Sequence, residues 1–272
     1  MARSNNPALN RVPAFRAGGA PRPVDPNTVG AAPDLEALFN ARSAGSAETG
    51  RMSYEDTVVK TVVLFAVLLA AGAVGWFMPA LAIAGAIVGL VLGLVNAFKR
   101  TPSPVLIVLY AAAQGLFLGG ISHIFESIFP GGIVLQAVVA TLAVFGVMLA
   151  LFASGKVRAS NRLTKVFLGA MIGYMVYSLV NVGLMMFGGV SSDLAFGLNS
   201  MTFMGIPIGL GVGILAVLMG AYSLVLDFEF IKNGVQNRAP RVYGWQGAFG
   251  LMVTLIWLYV EFLRLFAILS RN

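Results

Sequence analysis

Residues 80–98 read ALAIAGAIVGLVLGLVNAF, an apolar stretch without a single charged side chain. A helix needs ~20 such residues to cross a hydrocarbon core ~30 Å thick, and this run has that length. Backbone amides in lipid must find partners within their own segment, so the stretch is a helix and not a strand. Stretches of the same kind recur on both sides of it, at roughly 57–77, 104–127, 132–154, 163–187, 206–231 and 246–269. Turn formers separate them: Pro79, Thr101-Pro102-Ser103-Pro104, Pro130-Gly131-Gly132 and Ala239-Pro240. The expected fold class is all-α integral membrane, with seven transmembrane helices.

Composition agrees. Of 272 residues, 58% are hydrophobic and 11% charged, against ~25% charged in soluble domains. The absence of cysteine excludes disulfides, thiolate metal sites and a Cys nucleophile. A single histidine, His123, excludes any site that needs two imidazoles. It falls near the outer end of the third segment and is read as an interfacial residue. No cofactor is expected.

Two domains follow from the change of composition near residue 56. Residues 1–56 hold six of the twelve prolines and no long apolar run, and their six Arg are matched by Asp25, Asp34, Glu36, Glu48, Glu55 and Asp56. Such a segment buries too little apolar surface to offset its ordering entropy, so a disordered tail is expected. A short amphipathic helix over 34–42 is the one element it could hold. Residues 57–272 form the membrane domain.

Bases in the breaks give the orientation. The breaks after the second, fourth and sixth segments hold Lys99 and Arg100; Lys156, Arg158, Arg162 and Lys165; Lys232, Arg238 and Arg241. The alternate breaks hold none. Basic breaks and N-terminus are therefore expected in the cytoplasm, and the chain in the cytoplasmic membrane. Seven spans put the C-terminus outside, although Arg264 and Arg271 also fit a last segment that re-enters and returns. The net charge of +7 arises in the membrane domain, where it serves orientation. With no aromatic–basic interleaving, nucleic acid is not an expected partner.

Glycines at four-residue spacing mark faces where helices approach closely. The second segment has Gly85, Gly89 and Gly93, followed by Asn96, and the sixth has Gly205, Gly209 and Gly213, continuing through Ala216 and Gly220.

Charges at the bilayer centre are costly and tend to mark function. Two stand out: Asp227 in the sixth segment (Leu224-Val225-Leu226-Asp227-Phe228-Glu229-Phe230) and Glu261 in the seventh (Leu258-Tyr259-Val260-Glu261-Phe262-Leu263-Arg264). Helical spacing adds Ser223 beside Asp227, and puts Thr254, Trp257, Glu261 and Arg264 on one stripe. Tyr174, Ser178 and Asn181 share a face of the fifth segment, and Gln114 with Tyr110 one of the third. Gln114, Tyr174, Ser178, Asn181, Ser223, Thr254 and Arg264 are the candidate pore-lining residues. Two readings of the acids stand side by side. In one, Glu261 pairs with Arg264 at i+3 and Asp227 reaches toward the near interface. In the other, the two carboxyls meet, share a proton and titrate as a unit. Ionised, such a pair offers oxygens to a cation, and holds calcium only loosely because that ion takes 6–8 oxygen ligands.

At these residues the sequence resembles the transmembrane Bax inhibitor motif (Bax inhibitor-1) family, in a bacterial branch. The resemblance covers about 57–272. It rests on the seven-segment pattern, on Tyr222, Leu226, Asp227 and Ile231, on Leu258-Tyr259-Val260-Glu261 with Phe262-Leu263-Arg264-Leu265, and on Ala113-Gln114-Gly115-Leu116. It implies seven helices with the last surrounded by the others. It also implies a pH-sensitive calcium leak, gated by a carboxyl pair on the last two helices. Carried over, the pair is Asp227 and Glu261, and Arg100 or Lys99 matches a basic residue that latches against the acid of the sixth helix. Glu261 stands where aspartate is usual, and Gln114 where many relatives have Glu.

Enzyme classes find no footing. Intramembrane metalloproteases need paired histidines, presenilin-type proteases a Gly-x-Gly-Asp sequence, and a retinal protein a lysine in the last helix. The expected function is a pH-sensitive cation leak with calcium as permeant ion and the lipid bilayer as surroundings; a monomer suffices for it. The alternative is a non-conducting regulator of a membrane protease or stress-response complex, with the outer loop 188–205 (Phe196, Met201, Phe203, Met204) as docking surface for a membrane-protein partner.

Overall fold

The computed structural model describes residues 49–188 and 196–270. Residues 1–48 of the expected tail, the helix expected at 34–42, Asp193 and Arg271 lie outside the described residues. Seven helices account for most of the rest: α1 (Tyr54–Phe77), α2 (Leu81–Phe98), α3 (Pro104–Ile128), α4 (Ile133–Ala153), α5 (Asn161–Met186), α6 (Ile208–Gln236) and α7 (Tyr243–Leu269). Each is long and apolar enough to cross a membrane. The chain is a multi-pass membrane protein, and the helices fall within a few residues of the apolar runs. The last is one continuous helix of 27 residues, ~40 Å long at 1.5 Å per residue. That is long enough for a full span, and the helix has no break.

Local chemistry sets the ends. The Ser53 side chain accepts from Asp56 N at 3.2 Å, and Glu55 and Asp56 lie in the first turn of α1, where acids favour a helix N-terminus. Pro104 occupies the first turn of α3, where its missing N–H costs nothing. The Glu126 carboxylate accepts from Gly132 N at 2.8 Å and Val134 N at 3.1 Å. From the last turn of α3 it thereby caps α4 across the turn.

The tail boundary moves toward the N-terminus. Met52 is buried and its N–H donates to Ala239 O at 2.8 Å, Arg51 bridges Pro240, and Arg241 N donates to Gly50 O at 2.9 Å. Gly50–Asp56, read as tail, are thus tied to the turn between α6 and α7.

α7 carries the longest set of buried residues and packs against α1, α3, α4 and α6. Tyr174 reaches it from α5. It is the central helix, as the resemblance implied, although α2 packs chiefly on α3. The glycine ridges of α2 and α6 are covered by neighbouring elements, except that Gly205, read as the start of the second ridge, lies outside α6 in the preceding hairpin with nothing within 4 Å of an added Cβ. A Cβ on Gly85 would lie 2.7 Å from Ala113 O, and one on Gly220 would lie 2.8 Å from Leu258 Cγ. A further close approach was not singled out in the sequence: Gly115 and Gly119 of α3 lie against Leu68, Ala71 and Gly72 of α1.

Between α5 and α6 come a 3₁₀ turn (Gly197–Ser200) and a two-stranded hairpin, β1 (Thr202–Phe203) with β2 (Ile206–Pro207), paired antiparallel. Met204 and Gly205 at its tip both have positive φ, 52° and 81°, as a type I′ hairpin turn requires.

Candidate functional site

Asp227 projects from α6 into the seam with α7. Its Oδ2 accepts from Thr254 Oγ1 at 2.6 Å, and Thr254 Oγ1 lies 3.1 Å from Ser223 Oγ. A hydroxyl has one hydrogen to give. With Thr254 donating to the carboxylate, Ser223 must donate to Thr254, so the three side chains form a directed relay, Ser223 to Thr254 to Asp227. Gly250, one turn before Thr254 on α7, leaves the space for the carboxyl: a Cβ there would lie 2.7 Å from Asp227 Oδ1. Among the described residues no Lys or Arg forms an ion pair with Asp227.

Glu261 is placed differently. It is 2% exposed and sits between the Arg264 guanidinium and the Tyr174 hydroxyl, both of which donate to it. The Tyr174 ring packs on Trp257 at 5.9 Å between centroids. The i+3 ion pair weighed in the sequence is the arrangement found, with a tyrosine from α5 added.

The expected carboxyl pair is therefore corrected. The α7 residue facing Asp227 is Thr254, and Glu261 lies seven residues further along, ~10 Å up the helix axis. Asp227 and Glu261 have separate partners, Thr254 for the one and Arg264 with Tyr174 for the other, and do not meet. The reason is register. Asp227 stands nine residues before the end of α6 and Thr254 eleven after the start of α7, so these two meet at similar depth in an antiparallel hairpin. Counting from the Ala239-Pro240 turn was a signal available in the sequence.

The expected latch is corrected as well. Lys99 and Arg100 are exposed just past the end of α2, and no ion pair joins either to Asp227. The cations that do engage a buried acid near a helix end are Lys60 and Arg241, both on Asp56. Sequence reading missed this cluster because it counted Asp56 with the tail. The signal was present, since Asp56 and Lys60 are four residues apart on one helix face.

The residues of the polar stripes do not share one lumen. Ser223 and Thr254 belong to the Asp227 relay, and Tyr174 and Arg264 to Glu261. Ser178 lies on α5 one turn beyond Tyr174, and its buried Oγ has no hydrogen-bond partner among the described residues. Asn181, expected to line a pore, instead pins the outer connection: its Oδ1 accepts from Leu198 N at 2.7 Å and its Nδ2 donates to Phe196 O at 3.2 Å. Gln114, also expected there, lies in the α2–α3 seam, with Nε2 2.7 Å from where a Cβ on Gly89 would stand. A bond not anticipated joins α3 to α7: Ser122 Oγ donates to Leu118 O, so the Tyr259 hydroxyl donates to Ser122 at 2.6 Å.

An all-helical membrane bundle with a central last helix and an acid on the helix before it defines a class of multi-pass membrane protein. The model of the family described as Bax inhibitor 1 like matches residues 15–271, nearly the whole chain, and the chain belongs to that family. The match begins well before the membrane domain, in the segment where no resemblance had been read. No curated protein sequence matches the chain.

Proposed function

We propose that the protein is a proton-responsive cation leak of the Bax inhibitor-1 type, with calcium as the favoured ion and Asp227 as its switch. The observation that carries this reading is an intramembrane carboxyl, held by Thr254 alone, with no cation paired to it among the described residues. Ionised, it gives the α6–α7 seam a net negative charge and offers carboxylate oxygens, with the Ser223 and Thr254 hydroxyls nearby. That set is far short of the 6–8 oxygens calcium prefers, and weak binding suits an ion that must also leave. Protonated, Asp227 becomes a donor, the charge disappears and the relay through Thr254 to Ser223 can reverse. A single carboxyl thus does what the resemblance implied for a pair. Glu261, neutralised by Arg264, is a closed point on α7, the helix that carries Thr254, and not part of the switch.

The nine bases in alternate breaks support a cytoplasmic N-terminus, an outer C-terminus and residence in the cytoplasmic membrane. The test is calcium flux into proteoliposomes as external pH is stepped. The reading requires a flux that changes with pH and survives the double variant Glu261→Gln with Arg264→Gln, which removes both partners of the ion pair. Liposomes that stay tight at every pH would overturn it.

One observation favours the non-conducting regulator. The hairpin after the 3₁₀ turn bears no charge and exposes Phe203 (70%) and Met204 (88%), a surface suited to another membrane protein. Tight liposomes, together with a cellular phenotype lost on Phe203→Ser, would favour that reading over the leak.

A further inference from the structure

A groove of about 370 Å³ opens between the starts of α1 and α7, lined by Asp56, Val59, Lys60, Val63, Arg241, Val242 and Trp245. Its charges are unequal. Lys60 donates to Asp56 Oδ2 and, at 2.8 Å, to Arg241 O, and its ammonium lies 5.6 Å from the centre of the Trp245 ring. Arg241 sends Nε and Nη2 to Asp56 Oδ1 at 2.9 and 2.8 Å. Two cations share one carboxylate, which leaves one positive charge in excess. Lys60 is buried, so the excess is presented by Arg241, whose side chain is 47% exposed. A guanidinium has five N–H groups, and no described residue engages those that Asp56 leaves over.

The groove also has a direction. Val59 and Val63 are one turn apart on α1, 61% and 42% exposed, and lie toward the middle of the span from Asp56. Charge sits at the helix ends and apolar wall lies deeper, with Trp245 beside the charges as interfacial aromatics are placed. We propose that this groove binds an anionic phospholipid of the leaflet facing the basic breaks. The phosphate sits on the free edge of Arg241, which favours bidentate contact with phosphate, and an acyl chain lies along Val59 and Val63. A free phosphate ion would use the guanidinium but have no use for the valine wall. The bound lipid joins α1 to the turn before α7 at the place where Gly50–Met52 already pair with Ala239–Arg241.

Native mass spectrometry of the full chain, titrated with phosphatidylglycerol and phosphatidylcholine of equal chain length, tests this. One basic residue near the surface contributes ~1 kcal/mol toward anionic lipid, so retention of phosphatidylglycerol should exceed that of phosphatidylcholine about fivefold. Arg241→Gln should reduce that preference to near unity. Because this change also touches Asp56, Val63→Trp serves as the second variant: it narrows the groove, leaves every ion pair in place and should weaken retention of both lipids. Equal retention of the two lipids by the unaltered chain, a preference untouched by Arg241→Gln, or retention untouched by Val63→Trp would overturn the proposal. So would displacement of the lipid by glycerol phosphate at the same concentration, which would assign the site to a free phosphate.

Discussion

Thr254 donates its hydroxyl hydrogen to the carboxylate of Asp227 at 2.6 Å, joining the last two helices of the bundle. The contact replaces a pair of acids by an acid and a hydroxyl. A carboxyl pair would titrate by mutual repulsion, whereas Asp227 with Thr254 titrates as one group whose ionised form is supported by one donor. Changes at Thr254 and at Glu261 are therefore expected to act independently.

Thr254→Val keeps the shape of the side chain and removes the donor. A hydrogen bond to a charged group contributes ~1.5–3 kcal/mol, so the ionised state of the seam is disfavoured by about that amount. Calcium flux at a fixed pH should move toward the level seen at the acid end of the unaltered protein's profile. Ser223→Ala, one step further along the relay, should move it the same way by less.

Arg264→Gln leaves Glu261 buried beside Tyr174 without its cation. Removing one partner of a buried ion pair costs ~3–5 kcal/mol, so thermal unfolding in detergent should occur at a clearly lower temperature. The double variant Glu261→Gln with Arg264→Gln should recover most of the loss. If it recovers none, the pair is not the source of the effect.

How much of this was legible in the sequence depends on the distance over which each feature acts. The spans were, because the length of an apolar run and the chemistry of its breaks are local, and all seven helices end within a few residues of those breaks. The central position of α7 came from the family resemblance and not from pattern. Register across a turn is not local. Asp227 and Glu261 were brought together because their chemistry suits one another, but the chain turns at Ala239-Pro240 and matches Asp227 in depth with Thr254. Asn181 and Gln114 show the complementary error: a polar stripe records that a face is buried, not what it meets, and these two meet the outer connection and α2. Asp56 was misplaced because a boundary drawn from composition ran through the first turn of α1.

Asp56→Asn removes the one carboxylate that Lys60 and Arg241 share. Lys60 is buried, and its ammonium would keep only the Arg241 carbonyl and the Trp245 ring. A loss of ~3–5 kcal/mol is expected for such an uncompensated charge. Adding Lys60→Met should restore part of it, as measured by thermal unfolding in detergent.

Gly220→Ala places a methyl against Leu258 in the α6–α7 seam, with Leu258 Cγ at 2.8 Å, and overpacking of this kind costs ~1–3 kcal/mol. Gly146→Ala on α4 is the control, because nothing lies within 4 Å of its added Cβ. It should be neutral or slightly stabilising, since Ala is the better helix former by ~1 kcal/mol. Equal effects of the two substitutions would mean that the seam is looser than its contacts indicate.

The most direct measurement is the pH profile of calcium flux in proteoliposomes holding Asp227→Asn beside the unaltered protein. The amide cannot ionise and nearly matches the carboxyl in size. If Asp227 is the switch, the variant's flux stays flat from acid to alkaline pH while that of the unaltered protein changes. A variant whose flux still follows pH along the same curve would contradict the account.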